Sequence, residues 1–189
     1  MSRLLFCVPI MHDQADMGSL APHVRAKLAA GDAAWVARQA TIAAFWKRVE
    51  SWCLTTLPKS LARYAIYQDG LPVCGFENEI VRELAERGSA NHRLVLGLLK
   101  RGARLEGTES PDLLLREYEL AKSAVAQGAA NVGSNSAKTL LDERDQFIAG
   151  RIDQSLQEGE AGVLFIGLFH NVLRFVPRSI DIQRVSISR

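Results

Sequence analysis

Short apolar runs alternate with amphipathic helical stretches along this chain, and that alternation restricts the fold more than any other feature. Residues 3–10, 64–67, 103–108 and 162–167 read as strands, and each is separated from the next by one or two helical patterns. The helical stretches fall at about 32–57, 79–87, 90–101, 111–127 and 136–158. Parallel neighbours in a sheet need crossover connections, usually helices, so the expected fold is α/β: a mostly parallel sheet of about five strands with helices on both faces. Residues 180–187 alternate apolar and polar and supply the fifth strand, at an edge.

With 189 residues and 48% apolar composition, the whole chain (1–189) suits a single domain with one sizeable core. The net charge of +2, from 23 Lys and Arg against 21 Asp and Glu, argues against nucleic acid, whose binders concentrate a positive excess on one face. Arg174, Arg178, Arg184 and Arg189 are spread thinly and read as a solvated terminus. No apolar run approaches the roughly twenty residues of a membrane span, and the opening run lacks the features of a secretion signal, so no membrane is expected and the expected location is cytoplasmic. Cys7, Cys53 and Cys74 are odd in number and show no metal-binding spacing, which reads as reduced core thiols.

The helix at 32–57 carries Trp35, Ile42, Trp46, Val49, Cys53 and Leu57 at spacings of three, four or seven. Phe45 and Trp52 widen that stripe, so either another helix or a second chain should cover it; a homodimer through this helix is the expectation.

In parallel sheets, ligands bind outside the carboxyl ends of strands. That rule gathers four residues into one place: His12, Asp69, Glu109 and His170 each lie close to the end of an expected strand. Each also has a plainer reading. His12 and His170 are of a type that commonly hydrogen-bonds backbone, Asp69 belongs to an Asp-Gly turn, and Glu109 precedes the helix start Ser110-Pro111-Asp112. Arg144 is harder to explain blandly, because it falls on the apolar stripe of the 136–158 helix between Leu141 and Ile148. A charge there must be paired or must face a ligand. Its chain neighbours Glu143 and Asp145 do not share its helix face, so the partner is expected from another element or from a bound anion.

At these residues the sequence resembles the superfamily of TraB, Tiki and erythromycin-esterase-like proteins. The likeness runs through Glu143-Arg144-Asp145, Phe147-Ile148-Ala149 and the strand that ends Gly167-Leu168-Phe169-His170, about a quarter of the chain. A second such histidine motif falls on Pro9-Ile10-Met11-His12, with proline where the family has glycine; the family's acid after the second strand falls on Asp69 or, with a slip of one, on Gln68. The resemblance implies an α/β fold with a polar cleft and, in some branches, hydrolysis of esters or peptides.

Together these readings anticipate a hydrolase for a small-molecule or peptide substrate. His12 and His170, with Glu109 or Asp69, would activate water directly or through a divalent metal held by the two histidines, while Arg144 faces the open cleft and orients a carboxylate or steadies developing negative charge. The alternative is a ligand-binding or regulatory protein that keeps the cleft without catalysis.

Overall fold

The computed structural model describes residues 2–11, 33–126 and 135–187; His12, Asp32 and most of the loop expected at 128–135 lie outside the described residues. Among the described residues five strands are present, β1 (Arg3–Ile10), β2 (Tyr64–Gln68), β3 (Arg104–Glu106), β4 (Ala161–Gly167) and β5 (Ile180–Arg184). The helices are α1 (Ala33–Thr56), α2 (Glu77–Glu86), α3 (Ala90–Lys100), α4 (Pro111–Ala126) and α5 (Asn135–Ser155), with a 3₁₀ turn at Val172–Arg174. The strands form one sheet in the order β3-β2-β4-β1-β5, and every pairing is parallel. The α/β architecture is therefore as the alternation requires, and β5 is an edge.

Alternation of side chains along the strands divides the interior into two layers. Phe6, Val8 and Ile10 of β1, Ile66 of β2, and Val163 and Phe165 of β4 pack with Ile42, Trp46, Val49 and Cys53 of α1, Val81 of α2, and Val95 and Leu98 of α3. Leu5, Ala65, Tyr67, Leu164 and Ile166 point the other way, against Ile148, Ala149 and Ile152 of α5. Among the described residues, no helix is long and apolar enough to cross a membrane.

Several local signals act as their chemistry dictates. The Ser89 hydroxyl accepts from the His92 N–H and caps α3, and Ser110 Oγ accepts from the Leu113 N–H at the start of α4. In α5 the buried register runs through Leu140 rather than Leu141, followed by Arg144, Ile148 and Ile152. That helix ends at Ser155, short of the expected 158, because the chain turns at Gly159 (φ +71°) and the Glu160 N–H closes onto the Gln157 carbonyl at 3.0 Å.

The extra apolar surface of α1 is accounted for within the chain. Phe45 is buried, and Trp52 lies edge-on to Phe6 of β1 at 5.6 Å. Phe6 of β1 thus covers Trp52, one of the two residues that widened the stripe, and the ring of Phe45 stands against Trp46 of the same helix. Of the three free cysteines, Cys53 is buried, Cys7 half-buried and Cys74 exposed; the expectation of three core thiols fails at Cys74, which lies in the loop between β2 and α2.

β3 is shorter than the expected 103–108, and Gly107 follows its end. A methyl group there would stand 2.8 Å from Val73 Cα and 3.0 Å from the Pro72 carbonyl oxygen. Glycine lets the 72–73 segment pass close by at that point, and beyond β3 the Gln68 N–H donates to Thr108 Oγ1 at 3.0 Å before a last bridge joins Pro72 and Glu109. Gly107→Ala is expected to destabilise the fold by about 1–3 kcal/mol, the usual cost of overpacking. Denaturant unfolding checks this, and an unchanged midpoint would show that the 72–73 segment yields.

Candidate active site

The strand order decides which of the four strand ends meet. β3, β2 and β4 are consecutive neighbours, so Glu109, Asp69 and His170, which follow them, converge: one side-chain ligand atom from each lies within 4.8 Å of the others. β1, whose end His12 follows, is the next strand over; His12 itself lies outside the described residues.

Arg144 organises this cluster. From α5, beneath the strand ends, its Nε donates to Glu109 Oε2 at 3.0 Å and its Nη2 to Glu109 Oε1 at 2.5 Å, the paired arrangement that suits a planar guanidinium. Nη2 also reaches Asp69 Oδ1 at 3.2 Å, and Nη1 donates to Glu117 Oε1 of α4 at 2.6 Å. The residue is 4% exposed and Glu109 is fully buried. Arg144 therefore does not face an open cleft as expected: carboxylates from two strand ends and one helix take up its donors. The partners do come from other elements, as the helix geometry required. Burial opposes the charge of Arg144, but its hydrogen bonds to Glu109 and the surrounding carboxylates outweigh that and hold it fully protonated. Burial pushes the Glu109 carboxyl above its ordinary value while Arg144 pulls it down.

Asp69 is both turn and site. Gly70 (φ +75°) makes the turn, while Asp69 Oδ2 accepts the Gly167 N–H at 2.9 Å, tying the end of β2 to the end of β4. The Gly70 N–H in turn points to Glu109 Oε1 at 3.3 Å. Gln68, the alternative match one residue earlier, touches the site through its Nε2, which donates to the Asp69 backbone carbonyl at 3.2 Å. Alternation puts it on the opposite face, with Ile66, where its Oε1 is buried without a hydrogen-bond partner.

His170 sits between two acids. Its Nδ1 lies 2.6 Å from Asp145 Oδ1 and its Nε2 lies 3.5 Å from Asp69 Oδ1. Asp145 is fixed in turn by the Asn171 N–H, which donates to Oδ2 at 2.7 Å. Burial alone would lower the imidazole pKa, but the hydrogen bonds to Asp145 and Asp69 win and raise it to about 9. His170 is therefore an imidazolium at neutral pH, suited to donating a proton or steadying negative charge and unsuited to accepting a proton from water.

Two members of the network were not singled out from the sequence. Asp145 carried a usable signal, since it stands three and seven residues before Ile148 and Ile152 on the buried face of α5. Glu117 did not: half exposed on α4, it looks like any surface acid.

Beside His170 lies a cleft of about 250 Å³, whose lining includes Cys7, Pro9, Ile166, Asn171, Leu173 and Arg184. Leu168 and Phe169 stand exposed in the loop between β4 and His170.

Asp69, Glu109 and His170 are close enough to share a metal ion. Their chemistry in this arrangement speaks against it, because the guanidinium of Arg144 already bonds to both carboxylates. A divalent cation there would have to displace a buried cation with three acid partners.

Compared with protein-family models, curated proteins and solved structures, the chain gives no match in any of the three.

Proposed function

We propose that this protein is a hydrolase of small esters, lactones or peptides that works at the β2, β3 and β4 ends without a metal, with His170 as the proton donor. The observation that carries the reading is the Asp145–His170–Asp69 chain, which holds a charged imidazole at the carboxyl end of a central strand and beside a cleft. When water adds to the substrate carbonyl, the imidazolium steadies the developing oxyanion and then gives its proton to the leaving group. The water's own proton needs a different acceptor, and the resemblance supplies His12, two residues beyond the end of β1, the strand beside β4. Asp69, Glu109 and Arg144 are positioning residues in this scheme, holding the strand ends together and His170 charged. A cytoplasmic setting belongs to the same reading.

A screen of esters, lactones and peptides tests it, with metal content measured on protein purified without a histidine tag. Turnover should survive chelation and fall by about 10²–10⁴ in His170→Gln, the range general acid–base groups contribute. Stoichiometric metal with chelator-sensitive turnover would overturn the metal-free scheme, and absence of turnover on every class would overturn the hydrolase.

The second reading, a non-catalytic ligand-binding or regulatory protein, is favoured by one observation. Arg144, the cation expected to meet a substrate, is committed to Glu109, Asp69 and Glu117.

A further inference from the structure

With Arg144 committed to internal carboxylates, recognition of any anionic group at this end of the sheet has to come from elsewhere. Arg184 is placed for it. It ends the edge strand β5, pairs in register with Cys7 of β1, and lines the same cleft as His170. Among the described residues no ion pair or hydrogen bond engages its exposed guanidinium. The neighbouring arginine, Arg174, is by contrast placed against Asp142 at 3.4 Å and over the Phe175 ring.

The lining has a consistent chemical character. Among the described residues no carboxylate belongs to it, and most of the lining is apolar, with Pro9, Ile166, Val172 and Leu173. Burial pushes the Cys7 thiol up, so it too is uncharged at neutral pH. A volume of about 250 Å³ holds on the order of eight water-sized groups at about 30 Å³ each. That suits a small molecule and excludes a folded chain. An apolar cleft with few, well-placed polar groups fixes orientation through those groups, and here the polar residues of the lining include Arg184, suited to paired hydrogen bonds with a carboxylate, with His170 and Asn171.

We propose that this cleft takes a small substrate with an apolar body and a terminal carboxylate, the carboxylate held by Arg184 and the scissile ester facing His170. As a statement about substrate it rests on the hydrolase reading; as a statement about binding it can be tested alone.

The binding arm uses the full chain with hexanoate and its neutral counterpart hexanamide, titrated by calorimetry or by protein amide shifts. Wild-type protein should bind hexanoate at least about tenfold more tightly than hexanamide, the scale of one charge-assisted hydrogen-bond pair. Arg184→Gln should abolish that difference while leaving hexanamide binding and the melting temperature unchanged. Equal hexanoate affinity in wild type and Arg184→Gln would overturn the proposal, as would no hexanoate binding by the wild type.

The catalytic arm compares the monomethyl and dimethyl esters of a four-carbon dicarboxylate. A preference for the monoester that appears in KM and vanishes in Arg184→Gln supports the substrate class, and an equal preference in both proteins overturns it. Arg184-dependent hexanoate binding without turnover of any ester, lactone or peptide would uphold the carboxylate site and sink the hydrolase reading alone.

Discussion

Arg144→Met is expected to lower the stability of the fold by about 3–5 kcal/mol, the usual loss when one partner of a buried ion pair is removed. For a domain of this size that corresponds to a fall of roughly 10 °C in melting temperature. The substitution leaves Glu109, which is fully buried, and Asp69 without the guanidinium that bonds to both. Glu109 already sits above its ordinary pKa through burial, against the pull of Arg144. Without Arg144 it would take up a proton, so the loss should shrink as the pH falls. Arg144→Met combined with Glu109→Gln should recover part of the loss, because the stranded charge is then gone. Thermal and denaturant unfolding of the three variants measure this directly. A melting temperature unchanged in Arg144→Met would instead return Arg144 to a ligand-facing role.

The second large effect is a dependence of stability on pH that runs through His170. The folded pKa of about 9 lies above the unfolded value of 6.5, so the folded state holds this proton more tightly. The stabilisation is fully present below pH 6.5 and is lost as the pH rises through 9. The gap corresponds to roughly 3 kcal/mol. Wild-type unfolding free energies at pH 6, 7.5 and 9.5 should therefore fall by about that amount relative to those of His170→Gln, which cannot titrate in this range. Groups common to both proteins cancel in the comparison. If the two proteins changed in parallel with pH, His170 would not be held charged by Asp145 and Asp69, and its role as proton donor would fail with it.

The sheet was legible because its causes are local. Continuous apolar runs such as 162–167 and helical stripes such as that of α1 state their periods within a few residues, and parallel pairing follows from the crossovers between them. The strand-end rule then named Asp69, Glu109 and His170 before any contact was visible. The apolar stripe of the 136–158 helix named Arg144 too, but with the wrong surroundings. A buried charge announces that a partner exists, whereas whether the partner is a ligand or a carboxylate depends on which elements pack over it.

Composition and periodicity determined an α/β sheet, its edge strand, and a set of polar residues at strand ends. Tertiary structure decided what those residues do to one another. The order β3-β2-β4 places Glu109, Asp69 and His170 side by side, and packing of α5 beneath that end delivers Arg144 to two of them and Asp145 to the third. It also brought Arg184, which looked like part of a solvated terminus, to the wall of a cleft, because β5 lies in register beside β1. The physical reason is the range of the interactions. Helix and strand periods are written in neighbouring residues, while the state of a charge depends on groups that only the folded chain brings within hydrogen-bonding distance, 75 positions apart in sequence for Asp69 and Arg144.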